Sequence, residues 1–260
     1  MSKNKEILKQ IIDIARGAGE AMLEYYGDDV EVMKKDDDSP LTKADLASHN
    51  IIVESLKNLD PDTPVISEES GIPEYEKRKN WTKFWIVDPL DGTKEFIKKN
   101  GEFTVNIALI DNGKPVLGVV YIPVKKTTYY ASEKEGAYKQ VDNNEPKRIY
   151  SSASNRSKPL ITVQSRSHGS KTLVAELEKR GLKVNKTIPA GSSLKFCLVA
   201  EGAADIYPRM GPTMEWDVAA GDCVYRYSAK DGEHESPLTY NKPDMKNGGF
   251  LIGLNGNVEL

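Results

Sequence analysis

The apolar run Phe84–Val87 ends, without a spacer, in Asp88-Pro89-Leu90-Asp91-Gly92-Thr93. Four such residues in a row read as a buried strand. A buried strand tolerates carboxylates at its end only where something there compensates them. Pro89 fixes φ and tightens the turn, so that Asp88 and Asp91 can converge on one point. Gly92 lets the backbone approach a ligand closely. Thr93 opens a stretch, Lys94–Lys99, that reads as a helical turn whose free N–H groups form an anion site. This one segment therefore offers two carboxylates, a free carbonyl at Leu90, a hydroxyl and backbone donors. Turn chemistry accounts for either aspartate taken singly. It does not account for the pair placed directly after a buried strand.

Around this segment the pattern changes twice. Apolar residues at helical spacing predict a helix over 6–26, stopped by Gly27, and a second from Lys43 to Leu59 with Thr42 as its N-cap. Between them the charged stretch Met33–Pro40 reads as a mobile loop. From Pro64 to about residue 141 short apolar runs separated by turns predict strands in a mostly antiparallel sheet. The polar stretch Asp142–Pro159 is the best boundary candidate. It divides the chain into an α+β part, 1–150, carrying most of the acids, and a smaller α/β part, 151–260, in which strands 160–165 and 204–208 alternate with helices 171–181, 192–202 and 216–228.

Further acids lie at strand and helix ends. Glu68 and Glu69 close the strand Pro64–Ser67; neighbours on a strand point to opposite faces, so at most one faces a shared site. Asp217 opens the last helix and also suits an N-cap. Asp45, in Thr42-Lys43-Ala44-Asp45, also fits a capping box. If these acids meet, Mg²⁺ is the reason, because it takes hard oxygen ligands together with substrate phosphate, and crowded carboxylates without a cation repel one another. Lys plus Arg total 36 against 39 Asp plus Glu, a net charge of -3, which gives no footprint for duplex nucleic acid. Neither a secretory signal nor an apolar run of membrane-spanning length is read in the sequence, and the two cysteines read as buried free thiols. A cytoplasmic, reduced location is expected, with peripheral membrane association left open. His49, His168 and His234 are scattered and read as satisfied polar residues.

Three segments, WIVDPLDGTKEF, VISEES and EWDVAAGDCV, resemble the metal-site motifs of the inositol monophosphatase superfamily, in order and across nearly the whole chain. Gly92-Thr93-Lys94-Glu95-Phe96, the stretch 37–45 and the stretch 205–217 are similar to the 3′(2′),5′-bisphosphate nucleotidases of the CysQ type. The resemblance implies a layered αβαβα sandwich. It also implies a phosphatase that removes the 3′-phosphate of adenosine 3′,5′-bisphosphate with two to three Mg²⁺. Glu69, Asp88 and the Leu90 carbonyl would hold one ion; Asp88, Asp91 and Asp217 a second; a third would share Glu69 through waters. Asp45 and Thr93 match the pair that orients the attacking water, and the phosphate would lie on the Gly92–Thr93 backbone. Lithium commonly inhibits such enzymes by replacing a magnesium. By position and charge, Gly191, Ser192, Ser193, Lys195 and Arg209 are candidates for gripping ribose and the 5′-phosphate, while Ser192 or Ser193 alternatively caps a helix. Two other functions compete: an inositol or sugar-phosphate phosphatase on the same scaffold, and a non-catalytic metal or nucleotide sensor. The resemblance leaves open whether phosphoadenylyl compounds of sulfate assimilation are also substrates and whether the chain forms a homodimer.

Overall fold

A computed structural model describes residues 3–27, 32–34, 40–152, 158–167 and 172–254. Helix α1 (Lys3–Leu23) and helix α2 (Lys43–Leu59) flank two short antiparallel strands, β1 (Val32–Lys34) and β2 (Pro40–Thr42), with Val32 opposite Thr42. The loop expected over 33–40 therefore has strand residues at both its ends; residues 35–39 lie outside the described ones. Helix α1 buries Leu8, Ile11, Ile12, Ala15, Ala18 and Met22, the stripe a period of 3.6 dictates. It ends at Leu23 rather than 26. The Tyr26 ring leaves the helix to sit 5.1 Å from both Phe96 and Phe103, and its hydroxyl accepts the Gly101 amide at 3.1 Å.

A seven-stranded sheet follows in sequential order: β3 (Val65–Ser67), β4 (Lys83–Asp91), β5 (Thr104–Asp111), β6 (Lys114–Ile122), β7 (Thr127–Ser132), β8 (Gly136–Val141) and β9 (Lys147–Arg148). Strand β3 runs parallel to β4, with the short helix α3 (Tyr75–Arg78) between them; every other neighbouring pair is antiparallel. The run Phe84–Val87 is buried on both faces. Trp85 and Val87 join the apolar cluster of α1 and α2, while Phe84 and Ile86 join the cluster on the opposite face. A strand sandwiched in this way shows no polar alternation.

The opposite face is covered by α6 (Leu194–Ala200) and α7 (Glu215–Arg226). At Gly118 of β6 a Cβ would stand 2.6 Å from Cys223 Cβ and 2.9 Å from the Ala220 carbonyl, so the glycine lets α7 press onto the sheet. Cys197 and Cys223 are both buried and free. Beyond these helices lies a small outer layer. In it β10 (Leu160–Ser165) pairs in parallel with β11 (Val184–Ala190), and α5 (Leu173–Lys179) buries Leu173 and Leu177 in a third cluster. Two ladders complete the chain: β12 (Tyr207–Arg209) with β15 (Phe250–Ile252), and β13 (Thr213–Met214) with β14 (Lys246–Asn247). The order is helices, sheet, helices, strands, helix, the layered arrangement expected. The large sheet ends at Arg148, and the core beside it draws side chains from both sides of residue 150. No helix among the described residues is long and apolar enough to cross a membrane.

Candidate active site

Strand β4 does not turn at Asp88. Asp88 stands opposite Asn106 and Asp91 opposite Thr104, so three steps on β4 match two on β5 and the strand bulges across Pro89-Leu90. The bulge is pinned from both sides. Ser48 of α2 donates to the Pro89 carbonyl at 2.7 Å, the Leu90 amide donates to Asp88 Oδ1 at 3.1 Å, and the Leu90 side chain is buried among α1 and α2. The extra residue re-aims the chain so that Asp88 and Asp91 both reach the end of the sheet beneath α7. Gly92 follows in a left-handed conformation (φ 97°), and Thr93 begins the short helix α4 (Thr93–Ile97).

Parallel pairing brings in the next acid. Ile66 lies beside Ile86 and Ser67 beside Val87, so Glu68 continues the row next to Asp88. Strand β3 ends at Ser67, and Glu68 begins a 3₁₀ turn. Among the described residues, oxygens of Glu68, Asp88 and Asp217 lie within 4.8 Å of one another. The acid that joins Asp88 and Asp217 is thus Glu68, which corrects the expectation for Glu69: Glu69 lies outside this group of three. Parity decides it. Ile66 and Ile86 point to the face of α7, and residues two further along, Glu68 and Asp88, share that face.

Asp217 enters from α7 as the third residue of the helix. The N-cap is Met214 rather than the expected Asp217; from two residues beyond the first of α7, Asp217 Oδ2 accepts the Met214 amide at 2.8 Å while the side chain faces the acids as well. Asp91 adjoins the group. Its Oδ2 accepts the Ser193 amide at 2.7 Å and Asn106 Nδ2 at 3.3 Å. Asp45 likewise combines two roles. Oδ2 takes the Thr42 amide (2.7 Å) and hydroxyl (2.6 Å) in a capping box, and Oδ1 accepts the Thr93 hydroxyl at 3.3 Å. The structure therefore brings Asp45 and Thr93 together beside the acids.

The electrostatics agree with the crowding. Burial, then Glu68, Asp91 and Asp217, push Asp88 well above the usual carboxylate range. Burial, then Asp91, push Asp217 up to about 8, against the Met214 amide, which favours the charged form. Asp91 is raised by burial, with Lys195, Asn106 and Ser193 pulling the other way. Such a cluster is relieved by a cation. Its donors are all hard oxygens, the set suited to Mg²⁺, Mn²⁺ or Ca²⁺ rather than to a soft metal.

A cleft of about 330 Å³ opens on these acids, lined also by Gly92, Thr93, Lys195, Tyr207 and Arg209. Lys195 is buried, donates to the Ser192 carbonyl at 2.6 Å and stands 5.5 Å over the Tyr207 ring; burial pulls it down to about 8, against the attraction of Asp91. Arg209 donates to the Gly211 and Pro212 carbonyls at 3.2 and 3.1 Å. Ser192 lines the cleft with its hydroxyl between the Asp91 and Glu102 carbonyls. Ser193 is 1% exposed and bonded to Asp91, Asn106 and the Asp217 carbonyl. Its hydroxyl makes no helix cap; it serves the framework. His168 lies outside the described residues. Sequence reading passed over Glu95, Asn106, Tyr207 and the pair Glu102–Arg166. Glu95 and Tyr207 line the cleft, while Asn106 bonds to Asp91 and Ser193 behind it and Glu102 to the Gly191 amide of the turn.

A model of the inositol monophosphatase family matches residues 3–227. The 3′(2′),5′-bisphosphate nucleotidase CysQ of Salmonella typhimurium is 50% identical over 226 residues, 84% of this chain and 86% of that protein. The protein of the same description from Escherichia coli K12 is 45% identical over 262 residues, 95% of this chain and 100% of that one. A crystal structure of CysQ from Bacteroides thetaiotaomicron, described as a bacterial member of the inositol monophosphatase family, superposes with a TM-score of 0.80 at 43% identity. That match covers 97% of this chain and 98% of the other. An IMPase of Thermotoga maritima shares the fold, with a TM-score of 0.74 at 23% identity over 95% of this chain and 92% of that one.

Proposed function

This chain belongs to the inositol monophosphatase family, and from that premise we propose that it is a 3′(2′),5′-bisphosphate nucleotidase that removes the 3′-phosphate of adenosine 3′,5′-bisphosphate with Mg²⁺. The family is metal-dependent. The observation that carries the metal centre is the meeting of Glu68, Asp88 and Asp217 oxygens within 4.8 Å, from three separate elements. Substrate choice is supported by CysQ relatives at 45–50% identity over most of the chain and by Lys195 and Arg209 on the same cleft, suited to a second phosphate.

In this reading Glu68, Asp88, Asp91, Asp217 and the Leu90 carbonyl hold two to three ions. When bound, these ions supply Lewis-acid neutralisation of the transferring phosphate and ease deprotonation of water. Thr93 and Asp45 act as a relay. Asp45 Oδ1 takes the Thr93 hydroxyl proton in a hydrogen bond, which leaves the Thr93 oxygen to accept from the attacking water and orient it in line. The Gly92–Thr93 backbone faces the phosphate, and Ser192, Lys195 and Arg209 hold the rest of the nucleotide. Residues 1–150 thus furnish most of the acids, and residues 151–260 furnish Asp217 and the nucleotide end. A reducing cytoplasm suits two buried free thiols.

Phosphate release from adenosine 3′,5′-bisphosphate, inositol 1-phosphate and simple sugar phosphates, with magnesium, without it and with lithium added, tests this function. The expected result is magnesium-dependent turnover with a kcat/KM highest for the bisphosphate. A preference for inositol 1-phosphate would reject the substrate assignment, and equal turnover after chelation would reject the metal.

A further inference from the structure

Glu102 lies between α4 and β5, outside the acidic cluster, yet it is tied to that cluster through a single turn. Arg166, one residue beyond β10, grips its carboxylate with two arms, Nε to Oε2 and Nη2 to Oε1, both 2.7 Å. Oε2 also accepts the Gly191 amide at 2.8 Å, and the Glu102 carbonyl accepts the Ser192 hydroxyl at 2.8 Å. The fit is close: a Cβ on Gly191 would stand 2.5 Å from the Glu102 carbonyl oxygen. Ser192 then adopts φ 49°, a left-handed conformation that costs a residue with a side chain. That conformation delivers the Ser193 amide to Asp91 Oδ2 at 2.7 Å and the Ser193 hydroxyl to the Asp217 carbonyl at 2.9 Å.

An ordinary exposed ion pair contributes little, and Arg166 is 42% exposed. Glu102 differs from such a pair. Its side chain is 13% exposed, and its carboxylate receives a backbone amide in addition to a planar two-armed guanidinium. Burial alone would raise its pKa; the Arg166 bonds and the Gly191 amide overcome this and hold it below the usual range. Arg166 is itself fixed to the end of β11, with its amide on the Ala190 carbonyl at 3.1 Å and Nη2 on the Pro189 carbonyl at 3.1 Å.

We propose that Glu102 and Arg166 form a clamp that holds the Gly191–Ser193 turn against Asp91, and that Glu102 is thereby a positioning residue for divalent-cation binding. This inference rests on Asp91 being a metal ligand. Partners that orient ligating side chains typically matter ~10–100-fold in metal affinity or activity.

Three variants test it: Glu102→Gln, Arg166→Met and the swap Glu102→Arg with Arg166→Glu. Each is measured by magnesium titration calorimetry, by kcat and KM across magnesium concentrations, and by thermal melting. Glu102→Gln should weaken magnesium binding and raise the half-activating concentration about tenfold, with KM for the nucleotide at saturating metal little changed. Arg166→Met should move the same quantities less, because the Gly191 acceptor survives. The swap restores an ion pair but gives Gly191 no acceptor from residue 102, so it should recover melting temperature without recovering metal affinity. If Glu102→Gln does not fold, Arg166→Met and the swap carry the test. Wild-type metal affinity in Glu102→Gln or in the swap would overturn the clamp. So would an effect confined to the nucleotide KM, which would assign the pair to substrate. Wild-type protein that binds magnesium but releases no phosphate would instead count against the phosphatase function and leave the clamp measurable by calorimetry.

Discussion

The two ends of the cleft are built on different principles. The acidic end comes from positions that secondary structure itself dictates: Glu68 as the first residue beyond β3, next to Asp88 of the parallel β4, Asp217 in the first turn of α7, and Asp45 in the first turn of α2. The cationic end, with Lys195 and Arg209, is held by bonds to nearby carbonyls and by a ring, on short elements of the second half. At the acidic end like charges are forced together, and on top of burial Glu68 and Asp91 push up both Asp88 and Asp217; at the cationic end a buried lysine is kept charged partly by an acid it faces. The first end stores repulsion that only a ligand relieves, whereas the second is nearly satisfied before any ligand arrives. Removing Asp88 from the first should therefore stabilise the metal-free fold and abolish function. Removing a residue from the second should only weaken binding.

Asp88→Asn gives the largest expected effect and is the most direct way to break this contrast. Asp88 is 2% exposed and faces Glu68, Asp91 and Asp217. Turnover in magnesium should fall to background. The metal-free protein should keep its fold and melt at a higher temperature than wild type near neutral pH, because a buried charge among like charges has been removed. The pH dependence has a definite sign. A carboxyl whose folded pKa lies above its unfolded value of about 3.9 contributes stability below that value and loses it as pH rises through the folded pKa. Metal-free wild type should therefore lose melting temperature as pH rises from about 4 through about 8, where Asp217 titrates, and Asp88→Asn should lose less. Differential scanning calorimetry in chelator at several pH values, with phosphate-release assays alongside, measures both halves. Substantial turnover, or a lower metal-free melting temperature, would mean the acids do not form one repelling cluster.

A smaller effect separates Glu68 from Glu69, and it also shows what the sequence made legible. The helix Lys43–Leu59 was readable from its local period, whereas the layered fold, the metal-site place of Asp217 and the Asp45–Thr93 pairing were readable only through the family resemblance that three short motifs carry. The choice between the two glutamates needed a non-local fact, the register of β3 on β4. With Ile66 beside Ile86, Glu68 falls beside Asp88. The signal was present in the parity of VIS-EE against WIV-DP, but only once the two runs are known to be parallel neighbours. The bulge at Pro89-Leu90 was hidden for the same reason, since it exists only against β5. Glu102 and Arg166 had no local signature at all. Glu68→Gln should raise the half-activating magnesium concentration ~10–100-fold, and Glu69→Gln should move it much less. The reverse order in a metal titration of activity would restore Glu69 to the centre.

The cationic end yields an effect mainly on substrate binding and sharpens the contrast most. Lys195 is buried against the Tyr207 ring, with Nζ on the Ser192 carbonyl. A hydrogen bond to a charged group contributes about 1.5–3 kcal/mol, so Lys195→Met should raise KM for the bisphosphate roughly 10–100-fold while kcat changes less. The methionine stem retains most of the apolar contact with Tyr207, which keeps the loss to charge rather than packing. Burial has already pulled this lysine down to about 8. Below that pH it carries the proton that attracts a phosphate; above it the amine is neutral and the attraction goes. The wild-type KM should therefore climb through pH 8, and the variant's KM, already high, should stay flat over the same interval. A monophosphate substrate, lacking the second anion, should show neither the rise nor the penalty. Equal losses for both substrates would place Lys195 on the reacting phosphate and erase the division between the two ends.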